Sequence, residues 1–202
     1  VKGGCLLNLG SEEEGIFRTS CAGGARVECR LQPEFTEMSG LEYELLIGGL
    51  AGGHSGVEIH KERGNANKLA GRLLWHLYLE EVQLGLISAQ GGLADNAIPR
   101  ETVVRVLVAP EQKEGFVSAV TAFEQELKAE LATKDPDFCI VIKECGAVQQ
   151  KAITGNEFVV TAAFLNALPN GVQAMSADVE GLVETSLNLG ILSVNETGVS
   201  AS

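Results

Sequence analysis

Between residues 41 and 142 the hydrophobic period changes from two to three or four and back again, twice over. Residues 41–47 alternate apolar with acidic side chains and predict a strand. Residues 65–83 carry Leu69, Leu73 and Leu77 on one stripe, with Ala70, Leu74 and Tyr78 beside it, which is helical spacing. Residues 84–89 and 102–108 are short apolar runs joined by a loop containing Gly, Asp, Asn and Pro, and predict a hairpin with a long connection. Residues 111–131 are helical again, with Phe116, Val120, Phe123, Leu127 and Leu131 three or four apart. Glu111 and Glu114 suit the positive end of that helix. Asp135-Pro136 stops it, and residues 138–142 form the last strand.

This order, βαββαβ, predicts an α/β (α+β) unit of ferredoxin-like type: a four-stranded antiparallel sheet with two helices on one face. Its open face or an edge strand is the expected surface for self-association. The flanks read differently. Residues 5–9 and 25–31 look like strands around the charged turn Ser11-Glu12-Glu13-Glu14-Gly15, 157–167 predicts a helix, and 183–189 and 190–194 predict strands. The expected organisation is a middle domain, 35–149, inserted between two strips of another domain, 1–34 and 150–202. The abrupt start at Val1 and the run 197–202 fit a piece of something longer.

A chain of 202 residues with 45% hydrophobic content and mean hydropathy of +0.13 can bury a substantial core. Its net charge of −12 excludes nucleic acid and anionic membrane as expected partners, since phosphate binding needs clustered Lys and Arg. Cys5, Cys21, Cys29, Cys139 and Cys145 are odd in number and form no CxxC pair. Reduced thiols in a cytoplasmic protein are the expectation. No apolar run approaches the ~18 residues of a membrane span.

The richest chemistry lies in Gly49-Leu50-Ala51-Gly52-Gly53-His54-Ser55-Gly56-Val57-Glu58-Ile59. Glycines let the backbone turn sharply and admit another chain or a ligand, and a histidine there can donate or accept a proton. The plainer alternative is a glycine-rich turn with an incidental histidine. His54 and His60 lack a third metal ligand at helical spacing, and Ser55 is too near His54 in sequence to form a triad with it. Glu12–Glu14 reads as a solvated turn, His60 as surface, and His76 as structural. In the second loop, Asn96 is either a turn residue bonded to its own backbone or an amide that holds a ligand carboxylate.

Taken together, Gly52-Gly53-His54-Ser55-Gly56 after an apolar strand, Gly64-Asn65-Ala66-Asn67-Lys68-Leu69 opening a helix, and Asn96-Ala97-Ile98-Pro99-Arg100-Glu101 resemble the lid, or dimerisation, domain of the zinc aminopeptidase-like enzymes. That group includes carnosinases, aminoacylases and carboxypeptidase G. Leu7-Asn8-Leu9, Ser11–Gly15, Cys21-Ala22-Gly23-Gly24 and Val183–Gly190 extend the likeness toward the bacterial aminoacyl-histidine dipeptidases. The resemblance implies a parent enzyme with two zinc ions that activate a water against a peptide carbonyl, and a homodimer formed through the lid. It also implies that His54 stabilises the developing oxyanion, often in the partner subunit's site, and that Asn96 contacts the substrate's terminal carboxylate or backbone. Gly10 stands where the family places a metal-binding aspartate, and the other expected ligands are absent from this sequence. Asp95 adds negative charge beside Asn96. Two rival readings are a non-catalytic ferredoxin-like module that binds a small molecule at a dimer interface, and a non-hydrolytic relative, which Gly10 favours.

Overall fold

The computed structural model describes Gly15 and residues 23–202. In chain order the strands and helices are β1 (Cys29–Leu31), β2 (Thr36–Gly48), β3 (Gly53–His54), α1 (Ser55–Glu58), α2 (Ala66–Leu79), β4 (Leu84–Gly91), β5 (Ala97–Ile98), β6 (Thr102–Val108), α3 (Lys113–Leu131), β7 (Cys139–Ala152), α4 (Gly155–Ala167), β8 (Gly171–Met175), β9 (Val183–Leu187), β10 (Leu192–Asn195) and β11 (Gly198–Ala201).

The alternation along β2 works as expected. Tyr43, Leu45 and Ile47 are buried on one face, opposite Val106, Val104 and Thr102 of β6, whereas Glu44 faces Arg105 on the other. Two helices cover the apolar face: α2 buries Leu69, Ala70, Leu73, Leu74 and Leu77, and α3 buries Phe116, Val120, Phe123, Leu127 and Leu131. Tyr78 departs from its predicted stripe and is 38% exposed. The four strands run in the order β4-β6-β2-β7, all antiparallel, which is compatible with the ferredoxin-like arrangement.

The sheet does not stop at four strands. β10, β11 and β1 continue it beyond β4, giving the order β1-β11-β10-β4-β6-β2-β7. An unpaired β4 would present a row of free N–H and C=O groups, and β10 satisfies them by pairing Leu192, Ser193 and Val194 with Gly91, Gln90 and Ala89. Described residues from both flanks therefore add strands to the same sheet as the middle segment. Leu192, Val194, Val199 and Ala201 join its apolar core. At the opposite edge β7 is 14 residues long and, among the described residues, pairs with β2 alone, whereas the far edge strand β1 has only 3 residues. β2 and β7 both run well past their predicted ends, paired as far as Thr36 and Ala152. Their extension is polar and carries no apolar alternation to betray it.

A third helix, α4, lies against α2. Gly71 makes this possible: a Cβ there would stand 2.8 Å from the carbonyl of Leu165. The Lys68 ammonium donates to the carbonyls of Asn166 and, at 2.8 Å, Leu168, a cation at the negative end of α4. Among the described residues no helix is long and apolar enough to cross a membrane.

Candidate active site

The glycine-rich loop leaves β2 at Gly48 and returns to the fold at α2. Gly49, with φ of 73°, lies so close to the next segment that a Cβ would fall 1.9 Å from the carbonyl oxygen of Asp137. Leu50 is buried, and its carbonyl accepts from Arg100 Nε at 3.1 Å. The Ala51 N–H donates to Asp135 Oδ1 at 2.7 Å and the Gly64 N–H to Asp135 Oδ2 at 2.7 Å. Arg63 donates to the Gly52 carbonyl and lies 3.3 Å from the Glu58 carboxylate.

Within this frame His54 is exposed and caps α1. Its Nδ1 accepts the Gly56 N–H at 3.0 Å. An accepting Nδ1 carries no proton, so in the neutral ring the proton sits on Nε2, and that N–H points away from the cap. The backbone N–H of His54 donates to Glu58 Oε2 at 3.0 Å, so side chain and backbone are held by the same short helix. A hydrogen bond from Lys61, followed by that from the His54 amide, holds the Glu58 carboxyl down at about 2.

β3 and β5 bring the second loop alongside. His54 pairs with Ala97, and the Ser55 N–H donates to the Asn96 carbonyl at 2.9 Å. Asn96 is exposed, and its neighbours are fixed from below. Asn188 Nδ2 donates to the carbonyls of Asp95 and Ala97, both at 2.9 Å. Asp95 forms an ion pair with Arg26 at 3.1 Å, exposed on both sides, which offsets the negative charge beside Asn96. The two residues singled out from sequence therefore stand next to each other on paired backbone.

Other residues that build the site were not found from sequence. Asn65 caps α2 by accepting the Lys68 N–H at 3.1 Å, and its amide donates to Asn170 Oδ1 at 2.8 Å and to the Leu189 carbonyl at 3.1 Å. Asn67 is fully buried. It accepts from Thr102 Oγ1 at 2.7 Å and donates to Leu189 O at 3.1 Å and Gly91 O at 3.4 Å. The cap at Asn65 had a local signal, an Asn just before an apolar periodic run. The partners of Asn67, Asn188, Glu58 and Asp135 are distant or depend on loop geometry, and a single sequence offers no sign of them.

His60 is exposed in a 3-10 turn, Ile59–Lys61, and His76 stacks on Phe123 with ring centroids 4.9 Å apart. Among the described residues no group of three or more His, Cys, Asp or Glu side chains comes together to hold a metal. These residues therefore do not fit a metal pair. Gly10, Glu12–Glu14, Cys5 and Cys21 lie outside the described residues.

Residues 47–135, which enclose both loops, match the family described as the peptidase dimerisation domain. Over 196 residues the chain is 38% identical to the cytosol non-specific dipeptidase of Escherichia coli (strain K12), a match covering 96% of this chain and 40% of that protein. Its fold superposes with a TM-score of 0.77 and 35% identity on the crystal structure of aminoacylhistidine dipeptidase from Vibrio alginolyticus, covering 86% of this chain and 35% of that one. The chain thus spans 40% or less of the length of these relatives.

Proposed function

From a chain that carries a peptidase dimerisation domain and is related by sequence and fold to two dipeptidases, we infer that the whole protein is a cytoplasmic, zinc-dependent dipeptidase acting on Xaa-His dipeptides such as β-alanyl-histidine. Within it this segment supplies a homodimer contact and two side chains to the active site. The observation that carries the reading is the His54 ring: Gly56 occupies Nδ1, which leaves Nε2–H as a fixed, exposed donor beside the Asn96 loop. A donor held in place before the reaction stabilises charge as it develops on a peptide oxygen, at no cost in reorganisation. Asn96, with two N–H donors and one acceptor, suits the terminal carboxylate or backbone of a dipeptide. Among the described residues none is assigned to hold the zinc. The long edge of β7, which pairs with no further strand among the described residues, is the surface we assign to the second copy.

The test is His54→Ala in the full-length protein, with β-alanyl-histidine as substrate. Loss of one such donor lowers kcat by ~10²–10³, about 3–4 kcal/mol of barrier, with the fold intact. Unchanged turnover would overturn the assignment and favour a non-catalytic dimerisation or small-molecule-binding module.

A further inference from the structure

The loop that presents His54 is long and rich in glycine, yet it is closed at its neck by one side chain. Asp135 is 2% exposed and sits in the turn between α3 and β7, its own backbone tied to the Leu131 carbonyl at 2.8 Å and to the Phe138 N–H at 3.1 Å. Its two carboxylate oxygens each accept one amide, from Ala51 on the outgoing arm and from Gly64 on the returning arm. Both bonds are 2.7 Å, short enough for the charge-assisted class. The approach is close on both sides. A Cβ on Gly64 would stand 2.7 Å from Leu50 Cδ2 and 3.3 Å from Asp135 Oδ2, so a larger residue there would require the buried Leu50 side chain to shift. Beyond the neck, Arg63 bonds to Gly52, and Glu58 holds the His54 amide.

We propose that Asp135 is the positioning residue of the His54 loop: its buried carboxylate closes the loop at Ala51 and Gly64 and so fixes where the imidazole Nε2–H is aimed. The proposal rests on the role given to His54 above. Asp135 does not reach the substrate; it acts through the two arms. A carboxylate suits the task because it offers two acceptors and no donor. An asparagine in the same place can accept only one amide and turns its own N–H₂ toward the other.

The experiment compares Asp135→Asn, His54→Ala and the double variant in the full-length protein, by amide hydrogen exchange and by kcat and KM for β-alanyl-histidine. In Asp135→Asn the amides of Ala51, His54 and Gly64 exchange at least about tenfold faster, while those of Leu45 and Val104 in the sheet keep their wild-type rates. The kcat falls by up to about a hundredfold at nearly constant KM, as expected for a misaimed group, and adding Asp135→Asn to His54→Ala causes no further loss. Unchanged exchange in the loop overturns the proposal, and so does an equal loss of kcat when His54 is already absent. If His54→Ala alone leaves kcat intact, the dipeptidase role of His54 fails, and the exchange comparison still decides whether Asp135 pins the loop. Should Asp135→Asn not fold, the wild-type protein decides: Ala51 and Gly64 amides protected about a hundredfold over an open chain support the proposal, and open-chain rates refute it.

Discussion

Gly71→Ala sets two effects of opposite sign against each other. In a helix interior alanine is favoured over glycine by ~1 kcal/mol, because glycine gives up more backbone freedom on folding. At Gly71 the added methyl would meet the carbonyl carbon and oxygen of Leu165 at 2.8 Å and its Cβ at 3.1 Å. Ordinary contact requires α2 and α4 to separate by roughly half an ångström, and backbone atoms cannot rotate out of the way. Lys68 further resists the shift, since its ammonium is bonded to the last carbonyls of α4. Overpacking of this kind costs ~1–3 kcal/mol, so after the ~1 kcal/mol gain the net expected effect is a loss of ~0–2 kcal/mol. Gly115 in α3 is the control: a methyl there meets nothing within 4 Å, and Gly115→Ala is expected to gain ~0.4–1 kcal/mol. Urea unfolding followed by far-ultraviolet circular dichroism reads both variants. The helix–helix contact is refuted if Gly71→Ala stabilises the protein as much as Gly115→Ala does.

Asn67→Ala removes the partner of the Thr102 hydroxyl and of the Gly91 carbonyl in a fully buried place, and is expected to cost ~2–4 kcal/mol in the same assay, with a loss under ~1 kcal/mol counting against the network. The Glu58 carboxyl, held at about 2, binds its proton less readily in the folded loop than in the open chain. Its support for the loop is therefore complete above the ordinary carboxylate range near 4.5 and is lost as pH falls through about 2. A carboxyl titration by nuclear magnetic resonance, read together with His54 amide protection, checks this; a midpoint near 4.5 would refute the clamp.

What the sequence made legible follows from where the determining contacts lie. The stripes of α2 and α3 are local patterns, and every residue predicted for the α3 stripe is buried. Strand β6 has its predicted bounds because turn chemistry flanks it on both sides. The extension of the sheet was hidden, because Gly198–Ala201 is a four-residue strand with no distinctive alternation, and its pairing with Cys29–Leu31 spans most of the chain. For the same reason a four-stranded sheet was expected where seven strands occur. His54 stood out in its run of glycines and Asn96 in a turn-rich loop, and the roles expected of them came from the family resemblance. Their adjacency came from the small β3–β5 pair, two residues on each side, too short for any periodicity to register. The buried amides of Asn65 and Asn67 looked like helix-opening residues, and only the folded chain reveals them as ties to Leu189.

Among the described residues the two borders of the large sheet are unequal, one being the 14 residues of β7 and the other the 3 residues of β1. A second copy that aligns with β7 about a two-fold axis consumes both long borders at once. On the β7 contact proposed above, the double sheet of described strands would end on each side in the short β1. The same contact that joins two copies would then leave no long border among the described strands for a third.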